Sequence, residues 1–269
     1  MASVFHVLSC MALLLGAYTC AVTASRICLV TASFKGPSVA GGIAHANDQL
    51  VQVLIQANHH VHVLYANEYM EGSSPKWKQL AQQEGYLFDQ ISKEEQLEAG
   101  TANMKKAFNS YLWLVEHEDD FDVIQFHDYM GLGFYVLRAR EMNLHFQDKT
   151  VITVAHWLTA LTPDDNTIAS NAAASSATSI ERETTIFMER TTLQLSDIVV
   201  FPSQWLLDRI TEFGWQLPTS IHILPNPVSP VPITTSDSLA WIPDSGAVAF
   251  FGRLEDRKGK QRCSPRSRP

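Results

Sequence analysis

A doubly wound, parallel α/β sheet of Rossmann-like type is predicted for residues 26–230 by three observations. Short apolar runs such as Ile27-Cys28-Leu29-Val30-Thr31-Ala32 lack polar alternation, the mark of strands buried on both faces. Between these runs lie stretches whose apolar residues recur at helical spacing. The two kinds of segment alternate, and alternating β and α elements build a parallel sheet covered by helices on both faces.

After the first strand and a Gly/Pro/Ser loop, Ile43, Ala46, Leu50, Val53, Leu54 and Ala57 define a helix, with His45, Asp48, Gln49, Gln52 and Gln56 on its opposite face. Val61-His62-Val63-Leu64-Tyr65 is the next strand, and a helix over about 104–117 leads to Asp122-Val123-Ile124-Gln125-Phe126. Strands at 151–155 and 198–201 follow, separated by a helix over about 180–195. The segment 169–179, Ala-Ser-Asn-Ala-Ala-Ala-Ser-Ser-Ala-Thr-Ser, is low in complexity and reads as a mobile loop. A helix over 204–213 and the strand Ile221-His222-Ile223-Leu224 complete the domain.

Residues 231–246, rich in Pro, Thr, Ser and Asp, read as a linker. Ala247-Val248-Ala249-Phe250-Phe251 is then a buried strand emptying into a Gly/Arg/Lys loop, so 247–259 reads as the opening of a second α/β domain. Residues 260–269 carry four basic residues, two prolines and no apolar period, and cannot supply the helix such a unit needs. The expectation is one domain plus the first strand of a truncated second. At the other end, 1–24 reads as a targeting segment, with an apolar stretch over 11–16 and Val22-Thr23-Ala24 as a cleavage site. A signal peptide for the secretory pathway is the leading expectation. Membrane association through a retained anchor is the alternative, because residues 1–25 carry no charge.

Hydrophobic residues make up 46% of the chain and charged ones 18%, an ordinary globular composition with room for one good core. A net charge of −8 and a pI near 5.6 oppose a nucleic-acid surface. Of four cysteines, Cys10 and Cys20 fall in the leader, Cys28 in a strand and Cys263 in the tail, which makes no disulfide framework.

Ligands of open parallel sheets bind at the carboxyl ends of the strands, and that rule selects the candidate site. Gly41-Gly42 ends the first βα loop and opens a helix, where backbone N–H groups can face a phosphate or sugar hydroxyls. His127 and Asp128 follow one strand, His156 follows another, and Asn226 follows a third within Pro225-Asn226-Pro227. His127, Asp128 and His156 include zinc-ligand types, but no close-spaced pair seeds a site, so no metal and no cofactor are expected. His59, His60 and His62 straddle a strand start and read as a solvated edge. Glu189 and Arg190 read as the solvated or ion-paired face of an amphipathic helix. Neither a Ser-centred nucleophile elbow nor a Walker-type loop is present in the sequence.

In order and spacing these segments resemble the N-terminal domain of retaining nucleotide-sugar glycosyltransferases of family 4, the glycogen-synthase-like group. The resemblance runs from residue 27 to 259. It rests on Gly41-Gly42-Ile43, on Asp122 to Asp128, on Thr153-Val154-Ala155-His156 and on Met188-Glu189-Arg190. It continues through Ser196 to Ser203, Leu224-Pro225-Asn226-Pro227-Val228, Phe251-Gly252-Arg253-Leu254 and Lys258-Gly259. It implies the N-terminal half of a two-Rossmann GT-B architecture with its active site in the inter-domain cleft and no metal. Gly41 and Gly42 would line the donor-phosphate and acceptor cleft, His156 would contact the transferring sugar, and Arg253 and Lys258 would hold the donor diphosphate. The implied partners are a nucleotide-diphosphate sugar and an acceptor, with a hexose transferred with retention. The implied nucleotide pocket and paired-Glu motif belong to a second domain that the residues after Gly259 do not resemble. The chain is therefore expected to be inactive by itself, whether as a shortened gene model or a genuine short product. Two rival expectations are a non-catalytic sugar- or partner-binding domain and an unrelated Rossmann-type nucleotide-binding domain.

Overall fold

The computed structural model describes residues 23–38, 41–91, 97, 99–162 and 172–228. The leader, the linker, the strand at 247–251, Arg253, Lys258 and the tail lie outside the described residues.

Seven strands form one wholly parallel sheet: β1 (Arg26–Thr31), β2 (His60–Tyr65), β3 (Leu87–Gln90), β4 (Val123–His127), β5 (Thr150–Val154), β6 (Ile198–Phe201) and β7 (Ser220–Ile223). Their spatial order is β3-β2-β1-β4-β5-β6-β7, so the winding reverses between β1 and β4. The helices are α1 (Gly42–Gln56), α2 (Ser74–Glu84), α3 (Ala102–Glu116), α4 (Phe134–Glu141), α5 (Ala172–Leu195) and α6 (Gln204–Glu212). Among the described residues, no helix is long and apolar enough to cross a membrane.

Strand β1 shows why the sheet is doubly covered. Successive side chains point to opposite faces, so Ile27 and Leu29 enter one core with Val51, Leu54, Val63 and Phe88. Cys28 and Val30 enter the other core with Leu114, Phe126, Val136 and Val151. Each fully buried aliphatic side chain contributes about 1.5–3 kcal/mol, so an unalternated apolar strand is stable only inside such a sandwich. A third cluster, including Leu193, Phe201, Leu206 and Ile210, packs α5 and α6 around β6.

Three elements are not visible in the periodicity. Helix α2 has one buried residue, Ala81, and β3 is an edge strand, Leu87-Phe88-Asp89-Gln90, whose Leu87 is exposed. Helix α4 is only eight residues long, with Arg138, Arg140 and Glu141 diluting its apolar face. The expected loop at 169–179 is corrected as well: α5 already begins at Ala172. Its Ala-rich start has high helix propensity, which composition-based reasoning discounts.

Candidate active site at the carboxyl edge of the sheet

Strand β4 ends at the point where the winding reverses, and its last residue is His127, which is buried. The His127 ring reaches across to β1, where its Nε2 accepts the Ala32 backbone N–H at 2.9 Å. That bond places the imidazole proton on Nδ1, which is buried and has no hydrogen-bond partner among the described residues. Burial, with a smaller contribution from neighbouring His156, pushes His127 down to about 3, so the ring is neutral at physiological pH.

His156 follows β5, next to β4 in the sheet. Its Nε2 is likewise buried without a partner among the described residues, and burial holds the ring down to about 4. Two neutral imidazoles thus share the rim. His127 can donate from Nδ1, and His156 can donate or accept at Nε2 according to its tautomer, without either bringing a charge.

Asp128 is fully buried. Its carboxyl accepts the backbone N–H of Tyr129 at 2.9 Å and that of Trp157 at 3.2 Å, and it also accepts the His156 amide. One side chain on β4's loop therefore fixes the start of β5's loop. Burial outweighs those hydrogen bonds and pushes Asp128 up to about 7.

Glu189 overturns its reading as a solvated face. It is fully buried and accepts Met130 N–H at 3.3 Å, Thr159 N–H at 2.8 Å and Thr159 O–H at 2.7 Å. Burial, and then the Asp128 charge, raise it to about 8. The two carboxyls cannot both ionise cheaply, so the pair holds a proton at neutral pH. Arg190, its neighbour on α5, is exposed and lies 5.8 Å over the Phe187 ring, as a solvated helix face should.

Local backbone geometry delivers the Met130 amide to Glu189. Met130 has φ 70° and Gly131 φ 61°, a left-handed pair that folds the loop against α5. A Cβ on Gly131 would lie 2.5 Å from Met188 Cβ and 2.9 Å from Glu189 N, so only glycine permits this approach.

The remaining predicted residues are more loosely placed. Gly41 is the extended N-cap of α1 (φ −138°, ψ 171°), and a Cβ on Gly42 would meet nothing within 4 Å. The helix start is open, and packing alone does not require glycine there. Nearby, Asn47 donates to Thr31 Oγ1 at 2.8 Å and Ser33 O at 3.0 Å, tying α1 to the end of β1. Asn226 is exposed after β7, on the same rim but two strands from β5, or about 10 Å by strand spacing.

The predicted solvated histidine edge needs correction. His62 pairs with Asp89 at 2.9 Å and packs edge-on against Trp113, while His59 Nδ1 accepts Ser25 N–H. Only His60 is exposed, because the edge strand β3 and α3 cover β2 where the sequence pattern showed no cover. Among the described residues, no group of three His, Cys, Asp or Glu is placed to hold a metal ion.

The sheet is that of a Rossmann-like α/β domain, a class whose ligands bind at the carboxyl ends of the strands, and a polar cluster stands at its switch point. The family model for Glycosyltransferase Family 4 matches residues 40–231, most of the chain, and the protein belongs to that family. Among solved structures it is similar to a UDP-N-acetylglucosamine 2-epimerase, at 13% identity and TM-score 0.43 over 75% of this chain and 48% of that one. It is also similar to apo UGT2 of Phytolacca americana, at 11% identity and TM-score 0.43, covering 81% and 54% of the two chains. A third is the catalytic domain of starch synthase IV from Arabidopsis thaliana bound to ADP and acarbose, at 10% identity and TM-score 0.39, covering 76% and 52%. The chain thus spans about half the length of these proteins. No curated protein matches it significantly.

Proposed function

We propose that this domain is the N-terminal half of a GT-B glycosyltransferase that transfers a hexose, with retention, from a nucleotide-diphosphate sugar. The observation that carries the reading is the pair of neutral, buried imidazoles at the switch point of a family 4 domain. In this reading His156 contacts the transferring sugar. His127 and Asp128 shape the pocket floor, while Gly41, Gly42 and Asn226 line the cleft. Neutral groups suit that task, because sugar hydroxyls are neutral donors and acceptors and a buried charge would cost desolvation on both sides. Arg253 and Lys258 would stabilise the charge that builds on the departing diphosphate. Most donor contacts fall to a second domain in this reading, so the 269 residues alone are expected to bind donor weakly and to transfer negligibly. The leader is proposed to direct the chain into the secretory pathway.

Calorimetric titration of the full chain with UDP-glucose, UDP-N-acetylglucosamine and GDP-mannose tests the reading. Binding in the millimolar range, about −4 kcal/mol, is expected for at least one of them, and His156→Ala should remove it. Saturation by NADH or a free nucleotide but by no nucleotide sugar would favour an unrelated nucleotide-binding domain. Micromolar affinity, or turnover abolished by His156→Ala, would show that this chain needs nothing more.

A further inference from the structure

Two indole rings stand at the carboxyl rim beside His156. Trp157 follows β5 and Trp205 lies in the first turn of α6, just after the neighbouring strand β6. Their centroids are 6.2 Å apart with planes inclined by only 16°. Trp205 is 54% exposed. Neither ring is placed casually. The Trp157 backbone N–H is held by Asp128, and its Nε1 donates to Thr162 Oγ1 at 3.1 Å. The turn carrying Trp205 is capped by Ser203, whose Oγ accepts the Leu206 N–H at 3.4 Å.

We propose that Trp157 and Trp205 form a stacking platform for a saccharide acceptor at the rim beside His156. The inference rests on the family 4 reading and supplies the acceptor class that reading leaves open. A pyranose ring presents an apolar C–H face and a belt of hydroxyls. It is matched by an aromatic face flanked by neutral hydrogen-bonding groups, and this rim offers both. A ring held between the two indoles would need about 7–8 Å, two carbon–carbon contacts of 3.5–4.0 Å each, so 6.2 Å excludes that arrangement. The sugar therefore stacks on the free face of Trp205, with Trp157 as the rigid backing. Insertion of the exposed Trp205 into a membrane fits less well. The net charge of −8 opposes anionic lipid, and the cluster next to the rings is polar.

The test is titration of the full chain with maltotriose, cellotriose and chitotriose, in parallel with phosphatidylserine vesicles. At least one trisaccharide should bind in the millimolar range, about tenfold more weakly to Trp205→Ala, with Trp205→Phe staying within about threefold of the parent. Circular dichroism of each variant must match the parent. A trisaccharide affinity unchanged by Trp205→Ala overturns the platform, as does binding of none of the three sugars. Vesicle binding that disappears in Trp205→Ala without any sugar binding also overturns it. Failure of nucleotide sugars to bind, with trisaccharide binding still dependent on Trp205, would remove the transferase reading and leave the platform standing.

Discussion

Gly131 is the residue on which the rim depends most directly. Its φ of 61° is one that L side chains rarely adopt, and α5 fills the space a side chain would need. Gly131→Ala should cost about 2–4 kcal/mol, read as a lower urea midpoint with an unchanged m-value. A change within about 0.5 kcal/mol would mean the close approach to Met188 is not real. Glu189 is the second such residue. Glu189→Ala leaves the Met130 and Thr159 N–H groups without their acceptor, at about 1–3 kcal/mol for each buried group. Glu189→Gln keeps one carbonyl oxygen and should cost less. Hydrogen exchange at the Met130 and Thr159 amides checks the assignment, since both should lose protection in Glu189→Ala and only one in Glu189→Gln.

At the scale of elements, α5 organises the site from outside the sheet. Its middle turns hold Glu189 under the loops after β4 and β5, and its end is anchored by Arg140. That guanidinium donates to Leu195 O at 2.6 Å and to Asp197 Oδ2 at 2.5 Å, and the same oxygen of Asp197 accepts Val151 N–H at 2.7 Å. Arg140→Ala should therefore destabilise by about 1–2 kcal/mol. Arg138→Ala, which removes only an exposed pair with Glu141 on α4, should stay within about 0.5 kcal/mol. Thermal unfolding of the two variants side by side decides it. The same helix shows what the sequence makes legible. The central strands β1, β4, β5 and β6 announce themselves, because burial on both faces demands unbroken apolar runs. From them the carboxyl ends, and with them His127, Asp128 and His156, follow by rule. Edge strand β3 and short helices α2 and α4 bury little and leave no period to read. Glu189 was missed for a different reason. Charge at one helix position reads as solvent-facing, and only the tertiary packing of the loop at Met130-Gly131 covers it. The available signal was its place beside buried Met188 and one turn from Leu193.

For the whole molecule, the four buried titratable groups of the rim predict how stability depends on pH. Asp128 and Glu189 have folded pKa values raised to about 7 and about 8, so above their ordinary values the folded state binds more protons than the unfolded one. Their contribution is fully present below about pH 4 and is lost as pH rises through about 7–8. His127 and His156 are depressed to about 3 and about 4 from 6.5, so the unfolded state binds the extra protons. Their contribution is complete above about pH 6.5 and is lost as pH falls toward 3–4. Between about pH 4.5 and 6.5 the two pairs oppose one another, and stability should change little. Above pH 6.5 the imidazoles no longer titrate in either state. Only the carboxyl pair then acts, with a slope of up to about 1.4 kcal/mol per pH unit for each proton. The expected profile is a plateau through the weakly acidic range followed by a fall from about pH 6.5 to 8. Glu189→Gln should remove most of that fall, because Glu189, at about 8, titrates across all of it and Asp128, at about 7, over only its lower part. Urea unfolding at half-unit intervals from pH 5 to 8.5, on the parent chain and on Glu189→Gln, measures both slopes. Stability of the parent that stays level across pH 6.5–8 would mean that the two carboxyls are already ionised in the folded domain. The rim would then be an anionic surface, unsuited to binding a neutral sugar beside His156.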